Sequence, residues 1–589
     1  MSILASLNRA YDRMAEKHQV PSFGFSSEKV SFVIALNADG SVAGAPIDWR
    51  DTSGKKPAAR LMLVPQPSKR TSGIAPCFLW DKSSYVLGVT AGENRRLREE
   101  NLAFQAAHRK WLAGTDDEGL KAFLGFVERW TPDQFESFLW PQDIKDQNIV
   151  FALEADRLGG FIHDRPMARS IWARLASEGE KTQAICLVTG VKAPISRLHP
   201  SIKGVWGGQS SGGAIVAFNQ DAFSSYGHEQ GDNAPVSEAA AFGYTTALNK
   251  YLEKNSGHRI QIGDASVVFW ADASDAETAA EAESLFSAFF SEVDETAEAQ
   301  NVIKPILEKM RQGQPLRSFK PELSSGVGFY VLGLAPNASR LSIRFWLEDD
   351  FGKLARNYQL FLSDMRIEPP DRDPTIALWK YLSEVAVQGK RDNVPPNFAG
   401  EWTRAILTGT RYPLTLLSNV VLRIRSDGTV NARRAAIMRA VLKRNFNRTD
   451  KEAPMAFDPV NTNKGYLLGR LFAVYEQIQT AALGRNVNAT IKDKFYGSAS
   501  AQPRKVFALL DRGSANHLSK IGKQKPGYKV NLEKLVSEIF NVMSPSQDPF
   551  PNALSVEEQA LFGLGYYHQR SEFFKSKSID MTIAEEAVQ

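Results

Sequence analysis

Apolar positions recur along this chain in two rhythms, and the change between them falls near residue 373. Val30, Phe32, Ile34 and Leu36 recur at every second position before Asn37-Ala38-Asp39-Gly40, the pattern of a strand entering a hairpin turn. Arg60 to Pro65 reads as another short strand, closed by the Pro65-Gln66-Pro67 break. Helical spacing then runs from about Glu93 to Leu175, and strand-like runs return at Ala184 to Thr189 and Ala214 to Phe218. Further on, Ala265 to Trp270 predicts a buried strand and Asp272 to Met310 a helix. Gly328 to Leu334 and Arg340 to Trp346 predict a strand pair joined around Pro336-Asn337.

From about Asp373 onward the period is close to 3.6. Gly465 to Leu483 puts Leu468, Leu471, Phe472, Tyr475 and Ile478 on one stripe. Gln502 to Leu510, Asn531 to Met543 and Ser555 to Phe574 continue the series, with Pro- and Gly-containing breaks between them. The expected fold is therefore α+β: a mixed α/β N-terminal region over 1–254, a second α/β region over 255–372, and an all-helical region over 373–589 that ends in a bundle.

At 589 residues the chain is too long for one core. No apolar run reaches the roughly 18 residues needed to span a membrane. Ile3, Leu4, Leu7, Tyr11 and Met14 mark one side of an N-terminal amphipathic helix, and Arg9, Asp12, Arg13, Glu16 and Lys17 interrupt any signal-peptide core. The expected location is the cytoplasm. The two cysteines, Cys77 and Cys186, stand in unrelated contexts, which excludes a disulfide framework and a Cys-based zinc ribbon. The eight histidines form no ligand cluster, and His163-Asp164 is a lone pair, so neither a metal nor a cofactor is expected.

The most unusual stretch is Lys203 to Gly213, with five glycines in eleven residues. Such a backbone can approach a partner closely and expose its amides. Four readings compete. One is a flexible hairpin. A phosphate-binding P-loop is disfavoured, because no Gly-Lys-Ser/Thr follows. A serine hydrolase would use Ser210 within Gly208-Gln209-Ser210-Ser211-Gly212, with Asp221 and His228 following in order, but the next residues read as a strand where a nucleophile elbow needs a helix. The last is a loop laid in a DNA groove, where the glycines Gly207, Gly208 and Gly212 admit the backbone and Gln209, Ser210 and Ser211 meet base-edge acceptors. Lys203 and Asn219, and the basic corner at Lys69 and Arg70, are the secondary contacts.

Charge singles out a second segment. Between Trp402 and Thr449 stand ten Lys or Arg and one acidic residue, Asp427. Ile437, Met438, Val441 and Leu442 form an apolar stripe, with Arg439 and Lys443 expected to point away from it and Arg433 and Arg444 to flank it. A solvated basic helix is the plain reading. The one-sided excess favours a helix that follows a phosphate backbone through Arg433, Arg434, Arg439, Lys443 and Arg444. In contrast, Asp272 to Met310 carries nine acidic residues before Lys304 and is a poor DNA contact.

Several blocks resemble the large subunit of type I-C CRISPR surveillance complexes (Cascade). They include Arg70-Thr71-Ser72-Gly73-Ile74 with Phe78-Leu79-Trp80-Asp81, the run from His199 to Leu252, and "GDASVVFWAD" at 263–272. "LGLAPNASRLSIRFW" at 332–346, "GRLFAVYEQIQ" at 469–479, the run 488–507 and "GYYHQR" at 565–570 complete the set. The resemblance implies a non-catalytic, RNA-guided subunit that recognises a protospacer-adjacent motif in double-stranded DNA and assists unwinding and R-loop formation. It then recruits a helicase-nuclease, while base pairing with the guide reads the sequence. Its implied partners are CRISPR RNA, target DNA, the backbone subunits, the subunit that binds the 5′ handle, and the small subunit. The resemblance also implies a C-terminal bundle similar to that small subunit, from about 455, with Met455 or Met438 as an internal start.

Overall fold

The computed structural model describes residues 2–575 apart from 18, 55, 68–72, 157–158, 178–181, 274, 291–301, 374–377, 391–392, 396–397, 485–487 and 544–547. Residue contacts divide the chain into two compact units, 1–202 with 216–250, and 203–215 with 251–589. The fold is α+β, with strands in both units and a helical C-terminal region.

The first unit opens with α1 (Ile3–Glu16), capped by the Ser2 side chain, which accepts the Ala5 amide. Next come β1 (Phe25–Val30), β2 (Phe32–Leu36), β3 (Ile47–Asp48), β4 (Arg60–Pro65), β5 (Trp80–Lys82) and α2 (Ser83–Val86). The unit continues through α3 (Leu97–Trp111), α4 (Glu118–Arg129), α5 (Gln134–Ser137), β6 (Asn148–Leu153), α6 (Pro166–Ser177), β7 (Gln183–Ile185), β8 (Lys192–Pro194) and α7 (Glu238–Tyr251). Its main sheet has the order β3-β2-β6-β5, with β2 and β6 parallel and the other pairs antiparallel. Phe123 and Phe126 of α4 lay their rings against Phe151 of β6 in the core.

Strand β6 corrects the expectation of helix from Glu93 to Leu175. Five of its six residues are buried, so Ile149 to Leu153 is an unbroken apolar run, and such a run carries no period of two that would mark it as a strand. The strand expected at Ala184 to Thr189 ends at Ile185, where the chain turns back towards β8.

In the second unit, β9 (Arg259–Ile262), β10 (Ala265–Asp272), β11 (Gly328–Asn337) and β12 (Arg340–Asp350) form an antiparallel sheet of order β12-β11-β10-β9. Between β10 and β11 lie α8 (Ala276–Phe290) and α9 (Lys304–Arg311), and α10 (Phe351–Asp364) follows β12. Val267, Phe269, Phe329, Val331, Phe345 and Leu347 turn one sheet face into the core, where Phe289 of α8 stacks on Tyr358 of α10 with ring centroids 4.1 Å apart.

The helical region runs through α11 (Leu378–Val385), α12 (Phe398–Thr408), α13 (Leu414–Asp427), α14 (Ala432–Phe446), α15 (Lys464–Leu483), α16 (Ile491–Ala501), α17 (Pro503–Gln524), α18 (Pro526–Val542) and α19 (Val556–Glu572). Helices α15 and α19 form the tightest pair. A Cβ on Gly469 would lie 2.0 Å from the Phe562 carbonyl oxygen, and one on Gly565 would lie 2.0 Å from that of Tyr466, so backbone meets backbone where these glycines stand. Helices α16, α17 and α18 pack around that pair.

Candidate nucleic-acid interface

The glycine loop makes its contacts with the second unit. At its first stem, Gly204 has φ +84°, and a Cβ there would lie 2.8 Å from the Leu252 carbonyl oxygen. The Arg259 guanidinium donates to the carbonyls of both Gly204 and Leu252, at 2.7 and 2.9 Å. The Trp206 amide donates to Ser266 Oγ on β10 at 2.8 Å. At the second stem the Ala214 amide donates to the Ser339 carbonyl at 3.2 Å, and the Leu341 amide donates to the Ala214 carbonyl at 2.9 Å. Ala214 therefore forms a single bridge beside the start of β12, and the expected strand Ala214 to Phe218 does not form. Gly213 lies against the Leu341 side chain, and the chain then leaves the sheet edge.

Between these stems the tip is two successive turns. The Gly208 amide donates to the Val205 carbonyl at 3.0 Å, and the Gly212 amide to the Gln209 carbonyl at 2.9 Å. Gln209, Ser210 and Ser211 are exposed, and Ser211 Oγ lies 3.5 Å from Gln209 Oε1. Trp206, 59% exposed, stands beside them as an aromatic surface. The loop is thus a braced projection rather than a slack hairpin. Its polar tip faces solvent, and no helix follows Ser210, so the strand-turn-helix setting of a nucleophile elbow is missing here.

Lys203 is exposed on the same loop, while Asn219, also exposed, belongs to the first unit. Lys69 and Arg70 lie outside the described residues. The sequence reading passed over Arg259 and Arg340, the two arginines at the stems. Arg340 is the bridge partner of Ala214, and no local signal announces a pairing across 126 positions.

The basic helix behaves differently from expectation. In α14 every residue from Arg434 to Leu442 is buried, so the helix lies inside the fold rather than along its surface. Arg434 is 5% exposed and donates to Glu384 at 3.0 Å and to Asp427 at 2.6 Å. Arg439 is 2% exposed; it pairs with Asp450 at 2.5 Å and donates to the carbonyls of Ser363, Asp364 and Ala453. Burial lowers its pKa, against the opposing pull of Asp450 and Asp364. Arg433 pairs with Asp371 and Asp373 at 3.2 and 3.3 Å, Lys443 with Asp450 at 2.8 Å, and Arg444 with Asp364 at 2.7 Å while lying over the Tyr412 ring. These cations neutralise carboxylates of their own unit. They do not form an open phosphate track.

Among the described residues, no group of three or more His, Cys, Asp or Glu side chains is placed to hold a metal ion. No described helix is long and apolar enough to cross a membrane. The profile of the CRISPR-associated protein family Cas_Csd1 matches residues 7–574. The chain belongs to that family. A search among curated proteins finds no significant match. As a Cas_Csd1 member the chain is CRISPR-associated, and its glycine loop lies within the matched span.

Proposed function

We propose that this chain is the non-catalytic large subunit of a type I-C RNA-guided complex, and that the loop from Gly207 to Gly212 recognises the protospacer-adjacent motif in double-stranded DNA. The observation that carries this reading is the braced, exposed tip of Gln209, Ser210 and Ser211 in a Cas_Csd1 chain. A minor groove offers mainly acceptors, which suit the Gln209 amide, the two hydroxyls and the tip amides, while glycines keep the backbone thin enough to enter. Lys203 and the stem arginines Arg259 and Arg340 supply positive charge for the flanking phosphates.

In this role the subunit works in the cytoplasm with CRISPR RNA, the backbone subunits, the 5′-handle-binding subunit and the small subunit. It opens the duplex beside the motif, assists R-loop formation, and then recruits the helicase-nuclease that cuts. The test is a Gln209→Ala, Ser210→Ala, Ser211→Ala complex bound to duplexes with the correct and altered adjacent motif. Each lost groove contact is expected to weaken binding to the correct motif by about 1–3 kcal/mol and to narrow the gap between motifs. Unchanged discrimination would remove the loop from motif reading.

A further inference from the structure

Helix α5 ends with a leucine in a position that suits glycine. Its capping residue is Phe138, and the next residue, Leu139, has φ +49°. A Cβ strains this left-handed conformation, so glycine is the usual occupant. Here an apolar branched side chain stands instead, 88% exposed. One exposed leucine on a relaxed backbone would be ordinary, but this one is held out on a strained backbone. The tip is also firmly mounted. The buried rings of Trp130 and Trp140 stack with centroids 5.0 Å apart, and the exposed Phe138 extends the stack at 5.9 Å from Trp140. Trp130 Nε1 donates to the Leu87 carbonyl, and the Leu139 amide to the Glu136 carbonyl, both at 3.1 Å. Phe138 and Leu139 thus form an apolar knob on an aromatic base. Its rim is acidic: Asp133, Glu136 and Asp143 are all exposed. The one cation between Thr131 and Asp146 is Lys145, which lies over the Phe135 ring with its side chain 19% exposed and 3.6 Å from Glu136. Arg50, which bonds Asp143, is shared with Asp48 and is itself largely covered. The carboxylates face outward and the cations inward.

We infer that the knob of Phe138 and Leu139 is a docking anchor for a protein partner that offers an apolar cup rimmed by Lys or Arg. Charge selects the occupant. A nucleic-acid backbone or an anionic lipid surface would meet carboxylates at the rim. A second copy of this chain, paired knob to knob about a two-fold axis, would set like charges against each other. A basic-rimmed cup on another protein satisfies both parts of the surface. It takes the two apolar side chains out of water and pairs the rim.

The test puts a photo-crosslinking p-benzoylphenylalanine in place of Leu139 of the full chain, in the cells that naturally carry the gene. The same group in place of Leu61, also exposed, is the reference. Position 139 is expected to give a protein adduct that position 61 lacks. That protein is identified by mass spectrometry, purified and titrated against the full chain. It should bind Leu139→Gly at least tenfold more weakly, while that variant melts at about the same temperature because glycine suits the backbone. Leu139→Met, which stays apolar, should retain binding. Asp133→Lys with Glu136→Lys should weaken it severalfold and remove most of its salt dependence. No adduct specific to position 139, or undiminished binding by Leu139→Gly, overturns the proposal. So does an adduct made of nucleic acid or of a second copy of this chain, either of which would be a different occupant. None of these measurements involves the glycine loop, so motif reading stands or falls separately.

Discussion

The Trp206 amide donates to Ser266 Oγ across 2.8 Å, and this bond ties the glycine loop to the sheet just where its exposed tip begins. Ser266 is 1% exposed, so nothing but this hydroxyl satisfies the amide from the sheet side. Ser266→Ala leaves the strand intact and removes the tie. The expected cost is about 1 kcal/mol in overall stability, within the range for one lost buried hydrogen bond. Motif discrimination by the assembled complex should fall severalfold, because the tip loses its fixed position. Thermal melting and duplex binding read the two effects separately. A full loss of hydrogen bond with discrimination intact would mean that the brace is irrelevant to recognition.

Arg439 tests the corrected reading of α14. Arg439→Ala removes a side chain that reaches three backbone carbonyls and Asp450 from inside the fold. Denaturant unfolding should show a loss of roughly 2–3 kcal/mol, since buried acceptors lose their donor. The salt dependence of DNA binding by the folded fraction should stay within one unit of slope of the unsubstituted chain. A large drop in that slope without a stability loss would restore the surface-helix reading.

The sequence made much of this architecture legible, and its failures have physical causes. Strands β4 and β10 to β12 and helix α15 could be read from their apolar runs and the breaks that bound them, although β10 and β11 are buried on both faces. Strand β6 could not, since its five-residue apolar run has no alternation and stands between helical stretches with no Gly or Pro from 142 to 158 to set it off. The glycine tip was visible from composition alone, but its stems were not: Ser266, Ser339 and Leu341 lie 60 or more positions away in the chain. Counting charge from Trp402 to Thr449 misjudged α14 because its partners Asp364, Asp371, Asp373, Glu384 and Asp450 lie outside that window.

His108 sets a pH limit on the first unit. Its Nε2 accepts the Leu79 amide at 2.9 Å, and its Nδ1 lies 2.8 Å from the Phe104 carbonyl, which requires the neutral ring with the proton on Nδ1. Complete burial holds its pKa down at about 3, with the Phe104 carbonyl pulling weakly the other way. Because the folded value lies below the unfolded one, the unfolded state takes up the proton first. Stability contributed here is whole above about pH 6.5 and declines as pH falls from there towards 3, by up to roughly 1.4 kcal/mol per pH unit. Urea unfolding between pH 7.5 and 5 should show a slope to which His163, His199 and His568 also contribute, and His108→Gln should reduce it at some cost in stability at pH 7. A His108 imidazole that titrates near 6.5 by NMR in the folded protein would refute the assignment.

Met455 lies between α14 and α15, where its carbonyl accepts the Glu368 amide at 2.8 Å and lies 3.2 Å from His568 Nε2. A start there would yield α15 to α19, which includes the whole glycine-matched pair of α15 and α19. A start at Met438 would instead begin inside α14 and keep only its last two turns. We predict Met455 as the first residue of a separately made small subunit, since it keeps α15 to α19 entire, although it leaves behind α14, which also packs on α19. In cells carrying the native gene, Met455→Leu should abolish a bundle-sized fragment in intact-mass spectra of the complex. The full chain should keep its melting temperature, because Leu replaces Met at nearly constant volume. Loss of the fragment in Met438→Leu alone would move the start into α14. Absence of any such fragment from the unsubstituted gene would mean that the bundle serves only as part of the full chain.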